Sequence, residues 1–363
     1  MTDLLYSEAE DDLRAAVRAL LTDRNDPAQV VLRAEEGAPY DAGLWKALAV
    51  DMGVAGLLVP EELGGQGASH REAAVVLEEL GRAVVPAPYL TSSVVATQVL
   101  LACDTGRPEV AELLRDLASG RRTAALAAGF ATGPDGVRLR PGIDGTLSAV
   151  ADAATADVLL VPTARGLYAV ERAGSAVRVE PQIPLDLTRP LATVTLDGAT
   201  GTLLAGPEQT AAVVRQGLLA GAGLLASEQL GLAEWCLEET VRHTKERHQF
   251  NRPVGSFQAL KHRMAQLWLE VVSARAAARN AADALATGSE EAPLAVAIAQ
   301  AYCARVAVHA AEECVQLHGG IGMTWEHPAH LYLKRAKADS IALGTAGAHR
   351  ESVGRLVGLP APE

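Results

Sequence analysis

RHQFNRPVGSFQ, residues 247–258, stands between two long helical patterns, and the fold can be read outward from it. Upstream, residues 210–248 read as one long helix. Small residues stud it: Gly217, Ala220, Gly221, Ala222, Gly223, Ala226 and Gly231. Residues without bulk let another backbone approach closely. Downstream, helices are expected over residues 256–287, 292–318 and 328–342, with Pro293 suitably placed in the first turn of the middle one. Four helices in succession predict a four-helix bundle. The small-residue helix makes that bundle the expected oligomer interface.

Further upstream the pattern changes. Between residues 121 and 207, short apolar runs at 123–128, 157–161 and 192–196 are separated by Gly and Pro clusters. Residues 137–140 and 177–180 alternate with period two, so this is a small all-β unit. The first ~118 residues read as helices again. One over 8–21 puts Leu13, Val17, Leu20 and Leu21 on one face. A second over 40–52 turns Leu44, Leu48 and Ala49 inward. Ser69 caps a third, with Glu72 completing a capping box and Gly81 ending it. The expected fold class is α+β, mostly α. An N-terminal helical domain (1–118) precedes a central β-barrel-like domain (119–206) and a C-terminal helical bundle (207–363).

The chain has 363 residues, enough for two or three packed units of ~100–150 residues. Aromatics are only 4%, so the core must be built largely from Leu, Val and Ala. A net charge of −12 argues against nucleic-acid binding, since phosphates would be repelled. Cys103, Cys236, Cys303 and Cys314 form no Cys-x-x-Cys pair. Cys303 and Cys314 fall on one expected helix, ~16 Å apart along its axis and too far to bridge. Free thiols point to the cytoplasm. Residues 1–8 lack a basic start and an apolar run, so no signal peptide is expected. Residues 83–103 carry no charge but are broken by Pro86 and Pro88, which reads as a loop and a buried helix rather than a membrane span. His70, His243, His262, His309, His327, His330 and His349 show no metal-ligand spacing, so no metal site is expected.

Several strings, in order, resemble the acyl-CoA dehydrogenase family over essentially the whole chain. They are LWKAL at 44–48, MGVAG at 52–56, VPEELGG at 59–65, EELGR at 78–82, RHQFNRPVGSFQ at 247–258 and QLHGGIG at 316–322. The resemblance implies FAD as cofactor, an acyl-CoA thioester as substrate and 2,3-dehydrogenation as the reaction. It also implies an electron-transferring flavoprotein or similar protein as electron acceptor, and no membrane. In the family, the arginine matching Arg247 reaches the pyrophosphate of a flavin held mainly by a neighbouring subunit, and guanidinium suits that task with paired charge-assisted hydrogen bonds. Gln249 and Phe250 match positions beside it. Gln316, Gly319 and Gly320 match contacts to the adenosine half. Thr345 matches a residue that caps the flavin site from the other side.

The family's reaction needs a carboxylate to remove the α-proton. It stands at one of two places, matched here by Leu343 and by Gly221, and neither side chain can carry a proton. The β domain departs as well. Residues 127–136 lack the family's usual Thr-Glu-Pro and Gly-Ser-Asp strings, and no Trp lies between Trp45 and Trp235. The expectation is therefore a non-catalytic subunit of a heterotetramer, with a sister subunit supplying the base and the flavin-ring site. Such pairs occur in bacterial breakdown of steroid side chains. Two alternatives stay open: a self-sufficient homo-oligomer with a displaced base, for which Glu228, two turns beyond Gly221, is the candidate; and a flavin-free scaffold on the same fold.

Overall fold

Ser7 and Glu10 start the first helix by capping each other. Ser7 Oγ accepts the Glu10 N–H at 3.3 Å, and the Glu10 carboxylate accepts the Ser7 N–H at 2.6 Å. This computed structural model describes residues 4–37 and 40–360. Residues 1–3 of the segment read as no signal peptide lie outside the described residues. The N-terminal domain comprises α1 (Glu8–Arg24), α2 (Pro27–Glu35), α3 (Ala42–Lys46, continued as a π-helix over Ala47–Asp51) and α4 (His70–Arg82). A π-helix over Tyr89–Ala96 then leads into α5 (Thr97–Leu101), and α6 (Pro108–Ala118) closes the domain. The expected Ser69–Glu72 capping box opens α4. The uncharged segment at 83–103 is a loop and a buried helix, as expected.

The β domain holds seven strands: β1 (Ala124–Leu126), β2 (Gly145–Ala151), β3 (Val158–Thr163), β4 (Gly166–Glu171), β5 (Val177–Pro181), β6 (Leu191–Leu196) and β7 (Thr202–Ala205). They form a four-stranded sheet in the order β1-β3-β4-β7 and a three-stranded sheet in the order β2-β6-β5. Only β1 and β3 run parallel within them. The period of two decides which core each side chain joins. In β3, Val158 and Leu160 pack into the helical core, whereas Leu159 and Val161 pack between the sheets. The alternation at residues 137–140 does not make a strand. Arg140 forms a lone bridge to Thr163, and the segment otherwise leads from a 3-10 turn into β2.

The bundle begins with α7 (Pro207–Glu246), followed by a hairpin of β8 (His248–Gln249) and β9 (Arg252–Pro253). Then come α8 (Gln258–Ala286), α9 (Ala292–His318), α10 (Ala329–Asp339) and α11 (Ala346–Leu356), the last of which was not expected from the sequence. α7 and α9 are long and apolar enough to cross a membrane by length and composition, but 78% and 61% of their apolar windows lie buried inside the molecule. Both are core helices. The small residues of α7 do not form an oligomer face, contrary to the sequence reading. A side chain at Gly231 would strike the Glu78 carbonyl of α4, one at Gly217 would strike Val95 and Val99, and one at Gly223 would strike Leu285 and Val296. The stripe packs α7 within its own chain.

Candidate functional site

The break at residues 247–258 is a corner built by a tight hairpin. Gln249 pairs with Arg252 across it, and Phe250 and Asn251 occupy its two central positions with φ of +51° and +61°. Both positive φ values belong to the hairpin turn that matches strand twist. That geometry turns Phe250 outward, leaving it 85% exposed. Arg247 ends α7, and its N–H donates to the His243 carbonyl at 2.8 Å. Its side chain is exposed and has no hydrogen bond or ion pair among the described residues. The nearby carboxylates are taken instead by Arg242, which reaches Glu239 at 2.9 Å and Glu246 at 2.7 Å.

The end of α9 meets the end of α7. His243 and His318 lie with ring centroids 4.2 Å apart, one turn before Arg247 and one residue before Gly319 respectively. Gln316 is exposed in the last turn of α9. A side chain built at Gly319 or Gly320 would meet nothing within 4 Å, so both backbones face open space. An unpaired guanidinium, an exposed amide and two bare glycine backbones fit the outer half of a flavin dinucleotide held from another subunit. The structure thus brings Arg247, Gln249, Phe250, Gln316, Gly319 and Gly320 to one corner. Thr345 sits elsewhere: it caps α11 by accepting the Ala348 N–H at 3.2 Å, and it lines a cleft of about 910 Å³ beside residues 129–136.

The two positions that the sequence resemblance matches to a catalytic carboxylate pack against each other as hydrocarbon. Leu343, 2% exposed, lies against Gly221: a Cβ built on Gly221 would be 3.1 Å from Leu343 Cδ1 and 2.5 Å from Val95 Cγ2. Leu343 is pinned there with φ +53°, a region that costs a leucine strain. Its N–H donates to the Phe130 carbonyl at 2.8 Å, and its carbonyl accepts from His349 Nε2 at 3.1 Å. The β-domain loop is thereby stitched onto the bundle. The cavity among Val95, Leu126, Phe130, Leu218 and Leu343 is small, about 30 Å³.

Glu228, the candidate for a displaced base, sits in a buried ion-pair network. It is 2% exposed, and one of its oxygens takes both Arg189 and, at 2.5 Å, Arg335. Burial alone would raise its pKa, but the two guanidinium groups outweigh burial and hold it below the usual carboxylate range. Arg335 also grips Asp186 at 2.5 Å and the Thr188 carbonyl at 3.0 Å. The group is an ionic lock joining the loop before β6 to α7 and α10. Asp339 completes it, 3.6 Å from Arg189; burial first, then the Glu228 charge, raise its pKa well above the ordinary value.

Sequence spacing did not bring out one further cluster. Glu239, His318 and His327 converge where α7 and α9 end, because the loop after α9 folds back over α7. Their separations of 79 and 9 positions (239 to 318, 318 to 327) carry no local motif.

The family model described as acyl-CoA dehydrogenase, N-terminal domain, matches residues 7–121, and that described as acyl-CoA dehydrogenase, C-terminal domain, matches residues 211–358. The chain is 38% identical to the acyl-CoA dehydrogenase IpdE2 of Mycolicibacterium smegmatis, over 96% of this chain and 98% of that protein. Among solved structures it resembles the ChsE4-ChsE5 complex from Mycobacterium tuberculosis, with a TM-score of 0.87, 27% identity, and coverage of 99% of this chain and 100% of that one. It also resembles a Tcur3481-Tcur3483 steroid ACAD variant, with a TM-score of 0.85, 28% identity, and coverage of 97% and 98%.

Proposed function

This chain belongs to the acyl-CoA dehydrogenase family, and we propose that within it the chain is the subunit without a catalytic base in a heterotetramer. The observation that supports this reading is the packing of positions 221 and 343 against each other: no carboxylate stands at either. The sister subunit supplies the base and the ring site. This chain supplies Arg247 to the pyrophosphate of the sister's FAD, flanked by Gln249 and Phe250, and Gln316, Gly319 and Gly320 to its adenosine. Bound FAD accepts the β-hydride of the acyl-CoA. Arg247 neutralises phosphate charge, and the glycine backbones admit the nucleotide at close range. An electron-transferring flavoprotein or a similar protein would be the electron acceptor. The ChsE4-ChsE5 and steroid ACAD neighbours make a CoA thioester of a steroid-derived acid the first substrate to test. The reading keeps the chain in the cytoplasm, supported by four free, buried thiols.

Flavin stoichiometry by absorbance tests the reading, on the chain purified alone and after co-expression with a neighbouring acyl-CoA dehydrogenase gene. One flavin per two chains, with activity only in the complex, is the expected result. A lone chain that purifies fully flavinated and active overturns it.

A further inference from the structure

Three side chains distant in sequence meet where α7 and α9 end. Glu239 Oε1 lies 3.4 Å from His327 Nε2 and 3.7 Å from His318 Nε2, and the three atoms all fall within 4.8 Å of one another. His318 is the informative member. Its side chain is 0% exposed, and Nδ1 donates to the Cys314 carbonyl at 2.6 Å. A neutral imidazole with its proton on Nδ1 carries a lone pair on Nε2. That Nε2 is buried, faces the Glu239 carboxylate and has no hydrogen-bond partner. A second ring proton, on Nε2, would instead pair with Glu239; only in the neutral form do two acceptors face each other. A cation between them removes the conflict, and a backbone carbonyl on the far nitrogen is the arrangement that orients a metal-binding histidine.

We propose that Glu239, His318 and His327 are the protein ligands of one divalent transition-metal ion of the zinc class. Two donors at zinc bond lengths around a tetrahedral centre stand about 3.3 Å apart, close to the 3.4 and 3.7 Å found here. Arg242 orients the Glu239 carboxylate by donating to Oε2 at 2.9 Å and shares Oε1 at 2.5 Å. His327 Nδ1 accepts the Ala329 N–H at 3.2 Å. Ligation through Nε2 moves that ring's proton to Nδ1 and gives up this bond. Ala329 begins α10, whose first-turn N–H groups have no intrahelical partner in any case. The ion ties the end of α7, the end of α9 and the loop from Gly319 to Pro328 into one unit. Its role is structural: it fixes the segment that carries Gly319 and Gly320.

The test uses the full chain, stripped with a chelator and dialysed, then titrated with ZnCl₂ by calorimetry and with CoCl₂ by visible absorbance. The expected result is saturation at one equivalent per chain, with visible bands of a low-symmetry cobalt site. Binding falls at least tenfold in His318→Gln and in His327→Gln, while His262→Gln, an exposed histidine on α8, binds like wild type. Circular dichroism selects the folded variants, and the second histidine variant stands in if the first fails to fold. No saturable binding by wild type overturns the proposal, as does undiminished binding by a folded His318→Gln or His327→Gln.

Discussion

Leu343 lies over Gly221, its Cδ1 3.1 Å from the point where a side chain at 221 would begin. The two positions that the sequence resemblance matches to the family's glutamate therefore pack against each other. Restoring a carboxylate at either place meets packed hydrocarbon, with Val95 on one side and the residue 129–136 loop stitched to Leu343 on the other.

Gly221→Ala measures how tightly position 221 is packed. The new methyl would lie 2.5 Å from Val95 Cγ2, so the core must shift. Overpacking of this kind costs about 1–3 kcal/mol. Pairing it with Val95→Ala makes room, and urea melts of the four proteins should show a favourable coupling between the two sites. Simple additivity would mean that Val95 is not what Gly221 faces.

Glu228→Gln tests the lock against the displaced-base reading. Removing one charge leaves Arg189 and Arg335 buried with Asp186 and Asp339, and breaking such a group costs about 3–5 kcal/mol. Ionisation of Asp339, 3.6 Å from Arg189, offsets part of this, so a loss near the low end is expected. The pH sign follows from the depressed Glu228 pKa. Its contribution is present above the ordinary glutamate value and is lost as pH falls through the lower folded value. The variant should therefore lose less stability on acidification than wild type. Flavin reduction per folded complex should be unchanged, whereas loss of turnover with full stability would mark Glu228 as a base.

The sequence made the bundle legible because its helices are long, alanine-rich and separated by Gly and Pro. The third, expected at residues 292–318, is found as α9 over the same residues. The candidate residues of the exposed corner could be named from the sequence because they sit in two short strings. What the sequence hid depends on tertiary contact. α11 is short and mostly exposed, so its apolar periodicity is weak. The small residues of α7 cannot announce whether the backbone that approaches them is α4 or a second chain. Glu239, His318 and His327 are joined only when the chain doubles back. The partners of Glu228 were hidden because both arginines lie far from it in sequence.

Arg247 offers a variant with no structural cost of its own, since its side chain holds nothing within the chain. In the co-expressed complex, Arg247→Ala should leave the thermal melt of this chain alone unchanged. It should weaken FAD retention by about 10–100-fold, the worth of one or two charge-assisted hydrogen bonds. Arg247→Lys keeps the charge but not the fork and should recover only part of the loss. Dilution of the complex followed by flavin fluorescence reads the release. Equal retention by all three proteins would remove Arg247 from the cofactor site.

Glu78 should make the N-terminal domain's attachment sensitive to pH. It is 1% exposed on α4, accepts the Tyr6 hydroxyl at 2.6 Å and is paired with Arg14. Burial first, then the charge of Glu234, raise its pKa to about 7 against the pull of Arg14. A carboxyl that holds its proton more tightly when folded stabilises the fold below its unfolded pKa, and that contribution fades as pH rises through the folded value. The window runs from about 4.5 to about 7, and the amount at stake is about 3 kcal/mol. Glu78→Gln mimics the protonated form at every pH. The stability of wild type relative to the variant should fall across that window and level off above it, in urea melts at matched ionic strength. A constant difference from pH 5 to pH 8 would mean that Arg14 keeps Glu78 charged throughout, with no proton taken up on folding.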